Sequence, residues 1–174
     1  MPAMETWDAI TSRRDVRSYT DQPIASADLD RILEAAWRAP SSNNQQRWDF
    51  VVCTERPRLQ ELAKVWQYGG HVATSLATIA LVAPNASEAH TRESIQFDLG
   101  QAAMSIMLAA ADLGIGSGHS AVQDQDLARR ILGFPDDRIC ALLIPLGYPA
   151  DRPLRPIRRP NRRLFDEVVH RERW

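Results

Sequence analysis

Three arginines stand within five residues, in Arg13-Arg14-Asp15-Val16-Arg17. Guanidinium forks held at a pocket edge suit phosphate or a ring oxygen, while a solvated charge cluster with Asp15 as local partner is the simpler reading. A second polar run, Ala39-Pro40-Ser41-Ser42-Asn43-Asn44-Gln45-Gln46-Arg47-Trp48, is crowded with donors and acceptors. Such a run either displays binding groups or is a solvated turn. A third, Gly114-Ile115-Gly116-Ser117-Gly118-His119, resembles a dinucleotide-binding glycine loop only superficially, because its spacing is wrong and it ends a helix. Its glycines are expected to supply positive φ and a close backbone approach to something flat. His71, His90, His119 and His170 are scattered, with no nucleophile triad, carboxylate pair or metal spacing. No catalytic acid, base or metal ligand is assigned.

The 174 residues suit one domain, residues 1–174, with 44% hydrophobic and 25% charged residues typical of a soluble globular chain. A net charge of −1 offers nucleic acid no overall attraction, and the arginines of the tail lack a stacking platform of aromatics. Cys53 and Cys140 lie in apolar runs, as buried filler in a reducing compartment. The N-terminus, from Met1 to Asp8, lacks a basic region followed by an apolar stretch, and no apolar run reaches membrane-spanning length. A cytoplasmic protein without a membrane partner is expected.

The elements that must position these groups follow from periodicity. A helix over Glu5–Ser12, with Trp7 and Ile10 at helical spacing, hands the chain to the arginines. Ser26 is placed to cap a helix with Leu29, Ile32, Leu33 and Ala36 on its apolar face, ending at the polar run. Trp48–Cys53 reads as a strand, and Pro57 opens a helix carrying Leu59, Leu62, Ala63 and Trp66. Ala77–Ala83 and Ile139–Gly147 are strands apolar on both faces, which calls for helices on both sides of the sheet. Pro84–Arg92 reads as a loop, followed by a long small-residue helix over about Ser94–Leu113, which in so short a chain suggests a subunit interface. Asp124 caps a short helix closed by Gly133. From Tyr148 to Trp174 prolines alternate with arginines, an extended arm. Its apolar end, Leu164, Phe165, Val168, Val169 and Trp174, either docks on a partner subunit or folds back on its own.

The ordered set of Arg13-Arg14-Asp15-Val16-Arg17, Ala39-Pro40-Ser41-Ser42 with Asn44, Gln46 and Trp48, Gly114-Ile115-Gly116-Ser117, and Ile144-Pro145-Leu146-Gly147-Tyr148-Pro149 with the terminal arm resembles the FMN-dependent nitroreductase family. The resemblance spans almost the whole chain. It implies an α+β, three-layer fold with a central, mostly antiparallel sheet flanked by helices, and a homodimer with an exchanged C-terminal arm over residues 148–174. It also implies FMN at the dimer interface, reduced by NADH or NADPH and reoxidised by a nitroaromatic, a quinone or a similar small-molecule acceptor. By resemblance, Arg13, Arg14, Asp15 and Arg17 form the cluster on the flavin phosphate, ribityl chain and pyrimidine edge. Pro40, Ser41, Ser42 and Asn44 contribute from the loop, partly from the partner subunit. Gly118, His119 and Ser120 line the ring, and Arg158 and Arg159 supply the arm's phosphate contact. Asp15 stands where many relatives have Ser, and there it orients Arg13 or Arg17; Arg47 stands where the family usually has Pro. The Arg-Arg-Asp-Val-Arg form also resembles the branch that fragments reduced flavin, as dimethylbenzimidazole synthase does, and a flavin-sequestering or flavin-sensing protein is a further alternative.

Overall fold

The computed structural model describes residues 4–174, so Met1–Ala3 of the N-terminus considered above lie outside the described residues. In chain order the elements are α1 (Thr6–Ser12), α2 (Ser26–Trp37), β1 (Asp49–Cys53), α3 (Arg56–Leu62), α4 (Gly70–Ala73), β2 (Ala77–Pro84), α5 (Ala89–Asp112), β3 (Gly116–Ser117), α6 (Gln125–Leu132) and β4 (Arg138–Gly147). The strands form one antiparallel sheet in the order β1-β2-β4-β3.

Apolar side chains at every position but one of β2 demand cover on both sides, and the sheet has it. Ala77, Ile79, Leu81 and Ala83 pack with Ile32 and Ala36 of α2 and with Ile95, Leu99, Ile106 and Met107 of α5. Ala80 and Val82 belong to the opposite face, with Leu59 and Leu62 of α3, Val72 of α4 and Ala128 of α6. Cys53 and Cys140 are buried free thiols within that second layer.

Several local expectations are corrected. Ala25, not Ser26, occupies the cap position of α2, and Ser26 already has helical geometry. In α1 the buried residues are Ala9 and Ser12, while Trp7 is 71% exposed, so the Trp7–Ile10 stripe faces away from this chain's core. Pro57 lies in the first turn of a helix that begins at Arg56. The long helix starts at Ala89 rather than near Ser94, because the Glu88 carboxylate accepts the N–H groups of His90 and Thr91. The last four residues of the Pro84–Arg92 stretch are therefore helix. Asp124 and Gly133 close α6 as expected, the glycine at φ 75°.

The glycine run is corrected most. Gly114 alone of its glycines has positive φ, at 71°. Gly116 and Ser117 form β3, and the close approach is to this chain's own backbone: a Cβ on Gly116 would lie 2.6 Å from Val16 Cγ2, and one on Gly118 2.8 Å from the Val16 carbonyl oxygen. Tyr19 fills the equivalent space over Gly147, 2.7 Å from a Cβ placed there. Gly147→Ala should therefore cost about 1–3 kcal/mol through overpacking. Gly70→Ala, with open space around it, should stay within about 0.5 kcal/mol; urea unfolding of both variants checks the contrast.

Candidate active site

α1 delivers the arginines to the sheet edge. Val16 N–H donates to the Ser117 carbonyl at 2.8 Å, and Asp15 bridges Ser117 in parallel register. Tyr19 Oη donates to the Val16 carbonyl at 2.7 Å, and the Tyr19 backbone forms an antiparallel bridge with Pro149. This lays residues 13–19 between the 116–120 segment and the start of the arm.

Asp15 is the hub of that segment. Its Oδ1 lies 3.4 Å from His119 Nδ1 and 3.6 Å from an Arg13 nitrogen, and its Oδ2 lies 3.8 Å from Arg17. The hydrogen bond from His119, aided by the charges of His119, Arg13 and Arg17, holds the Asp15 carboxyl below its ordinary value of 3.8 against the opposing effect of burial. His119 is fixed from behind as well. Burial pushes His71 below its ordinary value, and its Nε2–H donates to the His119 carbonyl at 3.1 Å.

Arg14 is anchored differently, by Asp151 Oδ1 and the Arg152 carbonyl, both at 2.7 Å. An open pocket of about 410 Å³ lies here, lined by Arg14, Asp15, Arg17, Ser18 and Asp151. Among the described residues Arg13 and Arg17 have ion pairs to Asp15 but no close hydrogen bond, so their donors are unspent. The arm returns to the same place, since Ile157 N–H donates to the Thr11 carbonyl at 3.0 Å. Arg158 and Arg159, both exposed, thus follow directly after a contact with the helix that leads into Arg13.

Other expected residues are engaged elsewhere. Gly118 N–H donates to Pro145, and Ser120 exchanges backbone hydrogen bonds with Leu143, so of these three His119 alone presents a side chain at the surface. The loop after Pro40 is a single 3-10 turn, Ser42–Asn44, with Asn43, Asn44 and Gln46 all left-handed, at φ 50°, 54° and 50°. Each such non-glycine conformation costs of order 1–3 kcal/mol and persists only where the surroundings impose it. The loop docks on α5: Ser42 N–H and Oγ–H both donate to Asp98 Oδ1 at 2.9 Å, and Arg47 donates to Ser94 Oγ at 2.8 Å. Arg47 is therefore turned back onto the helix.

Within one chain the loop and the arginines do not meet. Asp98 holds the loop, whereas Gly116–Ser117 and Met4, bonded to Asp112, mark the other end of α5. Those 14 residues of helix span about 21 Å. Sequence reasoning missed Asp98, Ser94 and Gln101, whose only signal is their i, i+4, i+7 spacing. A second cavity of about 430 Å³ lies between the start of α5 and β4, among Ile95, Leu99, Ile139 and Leu142, away from the charged cluster. Among the described residues no group of three or more metal-ligating side chains converges, and no helix is long and apolar enough to cross a membrane.

A family model described as the nitroreductase family matches residues 10–79 and 62–148. An Archaeoglobus fulgidus protein that provisionally carries the name NADH dehydrogenase/NAD(P)H nitroreductase is 31% identical over 169 residues, 95% of this chain and 96% of its own. The NAD(P)H FMN reductase of Bacillus subtilis is 26% identical over 95% of this chain and 73% of its own. The solved structure of an FMN-dependent nitroreductase from Clostridium difficile R20291 shares the fold, with a TM-score of 0.83 at 24% identity over 95% of this chain and 98% of its own.

The Asp15 network makes a pH-dependent contribution to stability. A carboxyl with a lowered folded-state pKa stabilises the fold above its unfolded value of 3.8, and that stabilisation is lost as pH falls through the folded value. Because Asp15 is 39% exposed at its side chain, Asp15→Asn should cost less than about 1 kcal/mol at neutral pH. Urea unfolding at a series of pH values should show the variant and the wild type converging on acidification below that range.

Proposed function

This chain belongs to the nitroreductase family and is an NAD(P)H-dependent flavin oxidoreductase of that family, and from that premise we propose that it binds FMN between two copies of itself. Arg13, Arg14 and Arg17 carry the proposal: Arg14 and Arg17 line one open pocket with Asp15, Arg13 is tied to that same Asp15, and Arg13 and Arg17 make no close hydrogen bond among the described residues. A phosphate and a polar ring edge take such forks in bidentate fashion. Arg158 and Arg159 enter the same neighbourhood through the Ile157–Thr11 contact. Asp15 keeps Arg13, Arg17 and His119 in register without itself touching the anion.

The chemistry that FMN supplies when bound is the holding of two electrons between a nicotinamide donor and a small-molecule acceptor such as a nitroaromatic or a quinone. The chain's own work is binding, orientation and charge. Cations at the ring edge favour a reduced, more negative cofactor, and no side chain here is asked to act as acid or base. Pro40, Ser41, Ser42 and Asn44 would reach the site from the second subunit, since α5 keeps them about 20 Å away from the arginines of their own chain.

Unpartnered apolar surface supports the homodimer. Trp7 on α1, Phe97 and Met104 on α5, and Leu164, Phe165, Val168 and Val169 on the arm are exposed in a single chain. The arm's first part, through Ile157, lies on its own subunit, and its apolar end is assigned to the partner.

Purified protein mixed with FMN should bind it and turn yellow, and NADH or NADPH added without air should bleach the visible flavin band; failure to take up FMN would overturn the proposal. Arg13→Ala and Arg17→Ala should each weaken FMN binding about ten- to a hundredfold, the loss of ~1.5–3 kcal/mol expected for a hydrogen bond to a charged group. A chain ending at Tyr148 should lose both FMN and the dimer, read by absorbance and by sedimentation.

A further inference from the structure

The seam between the loop and α5 holds a residue with no evident role in the core. Three contacts cross it. Arg47 donates to Ser94, Ser42 donates twice to Asp98, and Gln101 Nε2 donates to the Pro40 carbonyl at 3.4 Å. Positions 94, 98 and 101 form one stripe of the helix. Asp98 is only 1% exposed, and among the described residues its Oδ2 is buried without a partner. Among the described residues both hydrogen bonds to this buried carboxyl group therefore come from Ser42, through Oδ1.

A buried carboxyl group held by one residue is a poor source of stability, and an apolar side chain of similar size would serve the core better. What the carboxylate does that an apolar group cannot is accept the N–H and the hydroxyl of Ser42 together. Ser42 opens the turn. Behind it, Ser41 Oγ accepts Gln46 N–H at 3.0 Å and the Gln46 amide donates to Asn44, closing a loop with three left-handed non-glycine residues. Asn43, Asn44 and Gln45 are left pointing outward, exposed.

We propose that Asp98 is a positioning residue for cofactor binding: it pins Ser42 to α5 and so sets the place from which the loop meets the flavin of the second subunit. This rests on the FMN reading above. Asp98 touches neither cofactor nor substrate.

The test compares Asp98→Asn, Asp98→Ala and Ser42→Ala in the full chain by two readouts: the FMN dissociation constant, and hydrogen exchange at the loop amides of the flavin-free protein. Asp98→Ala should raise the dissociation constant at least tenfold and speed exchange at Ser42, with Asp98→Asn intermediate because its amide oxygen still accepts. Ser42→Ala should speed exchange at the loop less than Asp98→Ala, because the residue 42 N–H still reaches the carboxyl group. Unchanged affinity in Asp98→Asn and Ser42→Ala would overturn the proposal, and so judges it even where Asp98→Ala does not fold. If the wild type takes up no FMN, the FMN reading fails by itself. Exchange in the flavin-free chains still judges the pin, and an unaltered Ser42 amide in Asp98→Asn would refute it.

Discussion

Val16 occupies the space that a side chain on Gly116 would fill. Its carbonyl oxygen does the same over Gly118, and Tyr19 does so over Gly147. That contact decides where the arginines are. With it, residues 13–19 become an added edge on β3 and β4, clasped by the Val16–Ser117 and Thr20–Tyr148 hydrogen bonds. The side chains on either side of buried Val16 then turn to one pocket. A methyl group at any of these glycines would push the edge outward and move three guanidinium groups and Asp15 together.

The second constraint is a length. α5 is about 36 Å long, with the polar loop bound about two fifths of the way along and the arginine edge just beyond its far end. Within one chain the polar loop and the arginine edge thus cannot meet. The charge network divides the same way. Asp15 gathers Arg13, Arg17 and His119 at one end, and Asp98 gathers Ser42 at the other.

Much of the architecture was legible where burial is two-sided or periodic. β2 and β4 are apolar runs, α2 and α6 show their stripes, and Asp124 and Gly133 mark both ends of α6. The start of α5 was hidden because its first turn is exposed and carries no apolar stripe, and because its cap is Glu88 rather than a shorter side chain. β3 was hidden because a Gly-Ser strand has no pattern at all. The exposure of Trp7 against the burial of Ala9 reverses the α1 stripe, because in so short a helix the small residues, not the large ones, face the core. For the site, residue type alone pointed to the arginines and the amide-rich loop. The distance between them, and the roles of Asp15 as hub and Asp98 as pin, exist only once the fold brings distant segments together.

In the proposed dimer one cofactor site needs the arginine edge of one subunit and the loop of the other. The most direct measurement mixes two chains that each bind no FMN, one with Arg13 and Arg17 replaced by Ala, the other with Ser41, Ser42 and Asn44 replaced by Ala. After dissociation and reassociation, FMN binding is measured by quenching of flavin fluorescence. Mixed dimers hold one intact site, so binding should reappear in the mixture and in neither parent. A mixture that binds no more FMN than its parents, with mixed dimers demonstrably present, would rule out a site shared between subunits.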